Sequence, residues 1–153
     1  MTETTVDRSM SAPDRRWVRD LSGYKTTRGV TLDGNLFGAL RFPGGALPSG
    51  TVVAQVSAPA TKLDADGEPV EAVTHLWGPY DPAATDGRQI AERGRVGHLQ
   101  VEVSVGPGRR VTTSVLDAGG IEVRYLPGSP IGGGIGLLDD DVRAALAGRI
   151  RYT

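Results

Sequence analysis

Glycine and proline interrupt this chain so often that only short segments can form between them. The sequence contains 22 Gly and 10 Pro, and the glycine content is about twice the usual proportion of roughly 7%. From Gly29 onward these residues separate short stretches that are rich in valine, leucine and isoleucine. Because glycine is unfavourable inside helices and proline breaks them, this spacing disfavours a helical bundle and favours short strands joined by tight turns.

Composition and charge exclude several classes of protein. The absence of cysteine excludes disulfide scaffolds, zinc ribbons and thiol catalysis. Since 17 basic residues balance 18 acidic ones, for a net charge of −1, we expect no nucleic-acid partner. The apolar stretches are too short to cross a membrane, and residues 1–20 lack the apolar core of a secretory signal. We therefore expect one domain, made in a cytosol, with no membrane contact.

Alternation of apolar and polar residues predicts where the strands lie. The segment 99–105 is the clearest strand, because Val101, Val103 and Val105 alternate with polar residues. Further strands are predicted at 30–37, which contains the hairpin-type dipeptide Asp33-Gly34, at 51–57, at 73–77, and as a pair formed by 109–116 and 121–126. A single helix is predicted at 138–147, with Asp139 at its N-terminus. The predicted fold class is α+β, mostly β: a small barrel-like domain with one short C-terminal helix.

The first 22 residues show no helical or strand period, and they differ in this from the rest of the chain. We interpret residues 1–22 as a flexible N-terminal arm and residues 23–153 as the single β-rich domain. The arm contains one apolar spot flanked by positive charge, which suits contact with a partner. The candidate contact residues are Arg15, Arg16, Trp17, Val18 and Leu21.

No set of residues in the sequence supports catalysis, cofactor binding or metal binding. A Gly-x-Ser-x-Gly motif is absent, and His75 and His98 both fall in strand patterns, which favours structural roles. The three aspartates at 139–141 favour a helix N-terminus over a cation site, because adjacent residues of a helix point in different directions. The glycines at 132–136 lack the Lys-Ser/Thr pair of a phosphate-binding loop. We expect a protein that is not an enzyme.

The most informative stretch is 78–89, with the sequence GPYDPAATDGRQ. Asp81-Pro82 predicts one turn, because proline presets φ at the second turn position, and Asp86-Gly87 predicts the next. We call residues 80–87 the corner, and predict that it joins two strands without any catalytic capacity. Its candidate structural residues are Tyr80, Asp81, Pro82, Thr85, Asp86 and Gly87.

The corner resembles one found in the lambda-type head decoration proteins of tailed bacteriophages, which often carry a similar Tyr-Asp-Pro-Ala-Ala-Thr-Asp-Gly run. The end of the chain is also similar to that family, with Leu138, Val142 and Leu146 on a short helix before a last strand at 150–153. The resemblance covers residues 29–153, and the corner is its most specific part.

The resemblance implies a structural protein of the virion rather than an enzyme. Members of the family bind the major capsid protein on the outside of the expanded head, as trimers at local threefold positions, and stabilise the shell against the pressure of packaged DNA. In the family the N-terminal segment orders against the shell, often by adding a strand. By resemblance, the N-terminal arm would have this role here, and no cofactor is implied.

Two other classes of function remain open from the sequence. A trimeric β-rich enzyme of the deoxyuridine triphosphatase type shares the length and glycine content, but its glycine-rich motif lies at the extreme C-terminus, where this chain has Arg149 to Tyr152. A carbohydrate-binding or tail-associated β module would display exposed aromatic residues, whereas Trp77 falls in a strand pattern typical of a core.

Overall fold

Short strands account for most of the fold. The computed structural model describes residues 16–20, 27–37, 46–57, 60–73, 76–106, 108–128 and 134–153. In chain order the strands are β1 (Val18–Asp20), β2 (Thr27–Asp33), β3 (Ala46–Leu47), β4 (Val52–Gln55), β5 (Ala60–Leu63), β6 (Pro69–Val73), β7 (Leu76–Pro79), β8 (Val96–Leu99), β9 (Val103–Ser104), β10 (Arg110–Leu116), β11 (Gly119–Ile121) and β12 (Ile150–Tyr152). The helix α1 is Asp140–Leu146, and 3₁₀ helices span Gly34–Phe37 and Val123–Tyr125.

A closed barrel of five strands, in the order β10-β2-β7-β4-β8, forms the centre of the fold. The β2–β7 pair is parallel, and the other neighbours in the barrel are antiparallel. One core cluster is made from barrel residues and the segments packed on them, including Val30, Leu32, Val53, Trp77, Leu99 and Val115. The prediction of a small, mostly β, barrel-like domain with a short C-terminal helix is confirmed.

A second core cluster joins the barrel to α1 and to a three-stranded sheet with the order β1-β11-β12. Val52 and Ala54 belong to this cluster, whereas Val53 between them belongs to the first. Both faces of β4 are therefore buried, because successive side chains of a strand point to opposite sides. From α1 the cluster takes Val142 and Leu146, and the Asp139 side chain accepts a hydrogen bond from the Val142 amide, as its predicted capping role requires.

Several predicted strands pair differently in the structure. The segment 99–105 is not one strand, since β8 ends at Leu99 and β9 begins at Val103. Gln100 lies in this break, where its amide donates to the Ser114 carbonyl (3.0 Å) and its side-chain oxygen accepts from the Ser114 hydroxyl (2.8 Å). These bonds hold Gln100 against β10, and β9 pairs instead with β3.

The predicted hairpin between 109–116 and 121–126 is also wrong. Strand β10 pairs with β2 and β8, and β11 pairs with β1 and β12. The described residues of segment 73–77 also belong to two different sheets, because Val73 is in β6, which pairs with β5, and Leu76 and Trp77 are in β7 of the barrel. Nor does Asp33-Gly34 form a hairpin turn: a 3₁₀ helix begins at Gly34, where a Cβ atom would overlap the carbonyl oxygen of Gly106.

The N-terminal arm needs the largest correction. Trp17 is fully buried in the second core cluster, and β1 pairs with β11 through Val18 and Ile121. The prediction that Trp17 and Val18 belong to a flexible arm is therefore wrong, because burial of an indole ring and backbone pairing fix both residues in the domain. Arg15 and Leu21 lie outside the described residues.

Candidate functional site

The corner is built from local hydrogen bonds to its two aspartates. Pro82 occupies the second position of the first turn, in which the amide of Ala84 donates to the Asp81 carbonyl (3.0 Å). The Asp81 carboxylate accepts from the Ala83 amide (2.9 Å), so the side chain closes the same turn. Pro82 and Thr85 are exposed, and they form the outer surface of the corner.

The second turn is held against the segment that follows β4. Asp86 accepts from the Arg88 Nε atom at 2.9 Å, and its backbone carbonyl accepts from the Ser57 amide (2.8 Å). Gly87 has φ of 107°, and a Cβ atom there would overlap the Ser57 backbone and hydroxyl. Only glycine combines this left-handed backbone with so close an approach. The Arg88 guanidinium also donates to the carbonyl of Leu36 (3.3 Å), which ties the corner to the segment that follows β2.

Tyr80 connects the corner to α1. Its ring is 1% exposed, and its hydroxyl donates to the Asp139 carboxylate at 2.8 Å. The other carboxylate oxygen of Asp139 accepts from the Val142 amide (2.9 Å), so one side chain both caps the helix and binds the corner. Burial raises the pKa of Tyr80, and the hydrogen bond to Asp139 raises it further. Tyr80 therefore stays a neutral donor, and the corner and the C-terminal helix form one structural unit.

A buried polar network joins both ends of the described chain to the barrel. The Trp17 indole donates to the Ser49 hydroxyl (3.0 Å), which donates to the Gln100 carbonyl (3.0 Å). Next to it, His98 Nδ1 lies 2.9 Å from the Gly50 carbonyl oxygen and Nε2 lies 3.0 Å from the Tyr152 hydroxyl. A carbonyl only accepts, so Nδ1 carries the proton and the Tyr152 hydroxyl donates to Nε2.

The sequence predicted a structural role for His98 but not this network. The rings of Trp17 and His98 are 5.8 Å apart, as are those of His98 and Tyr152. Burial lowers the pKa of His98 to about 4, against an opposing effect of the Gly50 carbonyl. His98 and Tyr152 are 54 positions apart in the sequence, and Trp17 and His98 are further apart still. No local sequence pattern reveals contacts over such separations.

Strand β1 lies at the edge of its sheet. Among the described strands it pairs only with β11. Before it, Arg16 is exposed and its guanidinium lies over the Tyr125 ring, 5.0 Å from the centroid. Within the strand, Arg19 is exposed and donates to the Thr153 hydroxyl (3.3 Å). Of the five candidate contact residues, the structure thus places Arg16 on the surface, Val18 half-buried and Trp17 in the core.

The described ranges contain no group of three or more His, Cys, Asp or Glu side chains that could hold a metal ion. In the same part of the chain, no helix combines the length and hydropathy needed to cross a membrane. His75 and residues 129–133 of the glycine-rich loop lie outside the described residues. No family model, curated protein or solved structure matches this chain.

Proposed function

We propose that this protein is a capsid decoration protein. It binds the major capsid protein on the outside of an expanded phage head, as a homotrimer at local threefold positions, and it stabilises the shell without catalysing a reaction. The observation that carries the proposal is the corner: its resemblance to lambda-type decoration proteins lies in the residues that join the barrel to the C-terminal helix. Tyr80, Asp86 and Gly87 each make contacts that depend on their particular side chain or backbone.

The buried Trp17 supports a revised role for the N-terminal segment. Because Trp17 and β1 belong to the domain, the part of the N-terminal arm that can bind the shell is residues 1–15. Arg16, the first described residue, is exposed and lies two residues before the edge strand β1. Trp17 thus acts as an anchor that fixes where the preceding segment leaves the domain.

Strand addition is the mode of binding that suits this segment. Ordering one residue costs about 1 to 2 kcal/mol of backbone entropy, and residues 1–15 contain few large apolar side chains to offset it. Backbone hydrogen bonds to an edge strand of the capsid protein supply part of the difference. Three segments on one trimer add avidity, since the second and third bind at a high effective concentration.

The test compares three forms of the protein on heads of the phage that encodes it. The full chain, a form lacking residues 1–15 and a form lacking residues 1–22 are mixed with expanded and with unexpanded heads and imaged by electron microscopy. We expect the full chain to give density at local threefold positions of expanded heads only. The form lacking 1–15 keeps its fold but binds weakly, whereas the form lacking 1–22 unfolds because it has lost Trp17 and β1.

Each outcome bears on a different part of the proposal. Undiminished binding by the folded form lacking 1–15 would refute the role of the segment, and the decoration function would stand. Absence of density for the full chain on either kind of head would refute the decoration function itself. Circular dichroism of all three forms separates loss of binding from loss of folding.

A further inference from the structure

A cavity opens at one end of the barrel, beside the first half of β2. Its volume is about 370 Å³, within the range of small-molecule sites in proteins. Residues from five separate segments line it, among them Arg28, Thr31, Gln55, Trp77, Gly94 and Thr112. None of these lining residues is acidic. Strand β7 pairs with β2 at Thr31 and Leu32, so the cavity lies next to the part of β2 that precedes this pairing.

Arg28 gives the cavity its chemistry. Its guanidinium lies over the ring of Trp77, 5.1 Å from the centroid, and this contact orients the group. Two of its nitrogens, Nε and Nη2, are buried and make no hydrogen bond. These two N–H groups lie on the same edge of the planar guanidinium, where they form the fork that binds the two oxygens of a carboxylate.

A second positive charge lies close to the cavity. The Arg95 guanidinium donates to the Gln55 carbonyl (3.4 Å), and its Nε atom is buried without a partner. Arg88, Arg124 and Arg149 differ from these two, because each is paired with a carboxylate. Arg28 and Arg95 are half-buried, and a buried N–H group without a partner is costly, so their unpartnered nitrogens favour an acceptor that carries negative charge.

We propose that this cavity is a binding site for a carboxylate, which the Nε and Nη2 atoms of Arg28 bind once a rotation of the side chain brings these buried atoms to the cavity surface. A carboxylate matches the fork with two parallel hydrogen bonds. Its single negative charge balances the charge of Arg28, and the nearby Arg95 attracts it further. The volume leaves room for an apolar stem, which Trp77 and Val30 can contact. The carboxylate can belong to a free small acid or to an acidic side chain of a bound peptide. This site is independent of the proposed capsid function.

The test is a titration of the full-length protein, followed by the nuclear magnetic resonance signals of the Trp77 indole N–H and the Arg28 Nε–H. The probes are glutarate, the peptide acetyl-Thr-Val-Glu-Val-Thr-amide, its counterpart with Gln in place of Glu, and inorganic phosphate. Glutarate and the Glu peptide distinguish a free acid from a side chain. Arg28→Gln removes the charge, and Arg28→Lys keeps the charge but removes the fork.

The matched control is Arg124→Gln. Arg124 also lies over an aromatic ring, 4.6 Å from the Tyr125 centroid, but its guanidinium is exposed and already paired with Glu122. We expect saturable binding of glutarate or the Glu peptide to the natural protein and to Arg124→Gln. Both Arg28 variants should bind at least tenfold more weakly while keeping the natural melting curve to within a few degrees.

The inference is overturned if neither carboxylate probe gives saturable shifts. Equal binding of the Glu and Gln peptides would overturn it as well, since the charge would then not be recognised. Tighter binding of phosphate than of glutarate, or natural affinity in folded Arg28→Gln, would likewise exclude a carboxylate site at Arg28.

Discussion

Acidification should destabilise this protein through one residue, His98. The ring is fully buried, and its neutral form satisfies both nitrogens: Nδ1 donates to the Gly50 carbonyl, and Nε2 accepts from the Tyr152 hydroxyl. Protonation of Nε2 would remove that acceptor and place a charge in the core. Burial accordingly lowers the pKa of His98 from 6.5 to about 4.

The sign and size of the effect follow from proton linkage. In the unfolded chain the imidazole takes up its proton near pH 6.5, whereas in the folded protein it does so only near pH 4. Between these values the unfolded state binds more protons, so the free energy of unfolding falls as the pH is lowered. The full loss is about 3 kcal/mol, of which about 2 kcal/mol is lost between pH 7 and pH 5.

The assay is urea denaturation at pH 7, 6 and 5 for the natural protein and for His98→Gln. The variant keeps every other titrating group, His75 included, so the difference between the two proteins isolates His98. Between pH 7 and pH 5 the midpoint of the natural protein should fall by about 1 M urea more than that of the variant. The imidazole signals of His98 provide a second measurement, and they should not titrate above pH 5.

Two results would refute this reasoning. One is an equal fall of the midpoint in both proteins, which would assign the pH dependence to other groups. The other is titration of the His98 ring near pH 6.5, which would show that water reaches Nε2 in the folded state.

The other predictions concern stability, each measured by urea denaturation at pH 7. Gly87→Ala should lower the free energy of unfolding by about 2 to 5 kcal/mol, because it combines backbone strain with overlap against Ser57. Its control is Gly67→Ala, also at a positive φ but with open space around it, which should cost only about 1 kcal/mol. Equal losses in the two variants would contradict the overlap at Gly87. Tyr80→Phe should cost about 1 to 3 kcal/mol, since it leaves one oxygen of Asp139 without its donor; an unchanged midpoint would show that the corner and α1 are not coupled. Trp17→Ala should cost about 3 to 5 kcal/mol of stability, whereas Arg19→Ala, at an exposed residue of β1, should cost about 0.5 kcal/mol or less. A small loss for Trp17→Ala would support the interpretation of Trp17 as part of a flexible arm.

Local signals in the sequence correctly predicted the elements that depend on neighbouring residues. Asp139 caps α1 because its carboxylate reaches an amide three residues away, and this spacing is visible in the sequence. The Asp81-Pro82 turn forms for a similar reason, since Pro82 presets its own backbone angle. The barrel-like, mostly β class followed from the frequency of glycine and proline.

Strand partners and strand ends were predicted less well. Segment 99–105 alternates throughout, yet β8 ends at Leu99. The Gln100 carbonyl accepts from the Ser49 hydroxyl and its side-chain oxygen accepts from the Ser114 hydroxyl, and both serines are distant in sequence. Segment 109–116 is followed by a turn and a second apolar stretch, which favours a hairpin. In the fold β10 instead closes the barrel against β2 and β8, where Val115 and Leu116 are fully buried.

The sequence alone thus determined the class of fold, the C-terminal helix and the turns of the corner, because backbone propensity and capping act over a few residues. Tertiary structure decided that Trp17 is a core residue and not part of a free arm, that His98 is a neutral donor and acceptor in the core, and that Arg28 lies over the ring of Trp77 beside a cavity. Each of these depends on burial and pairing between segments far apart in the chain, and such contacts arise only when the barrel closes.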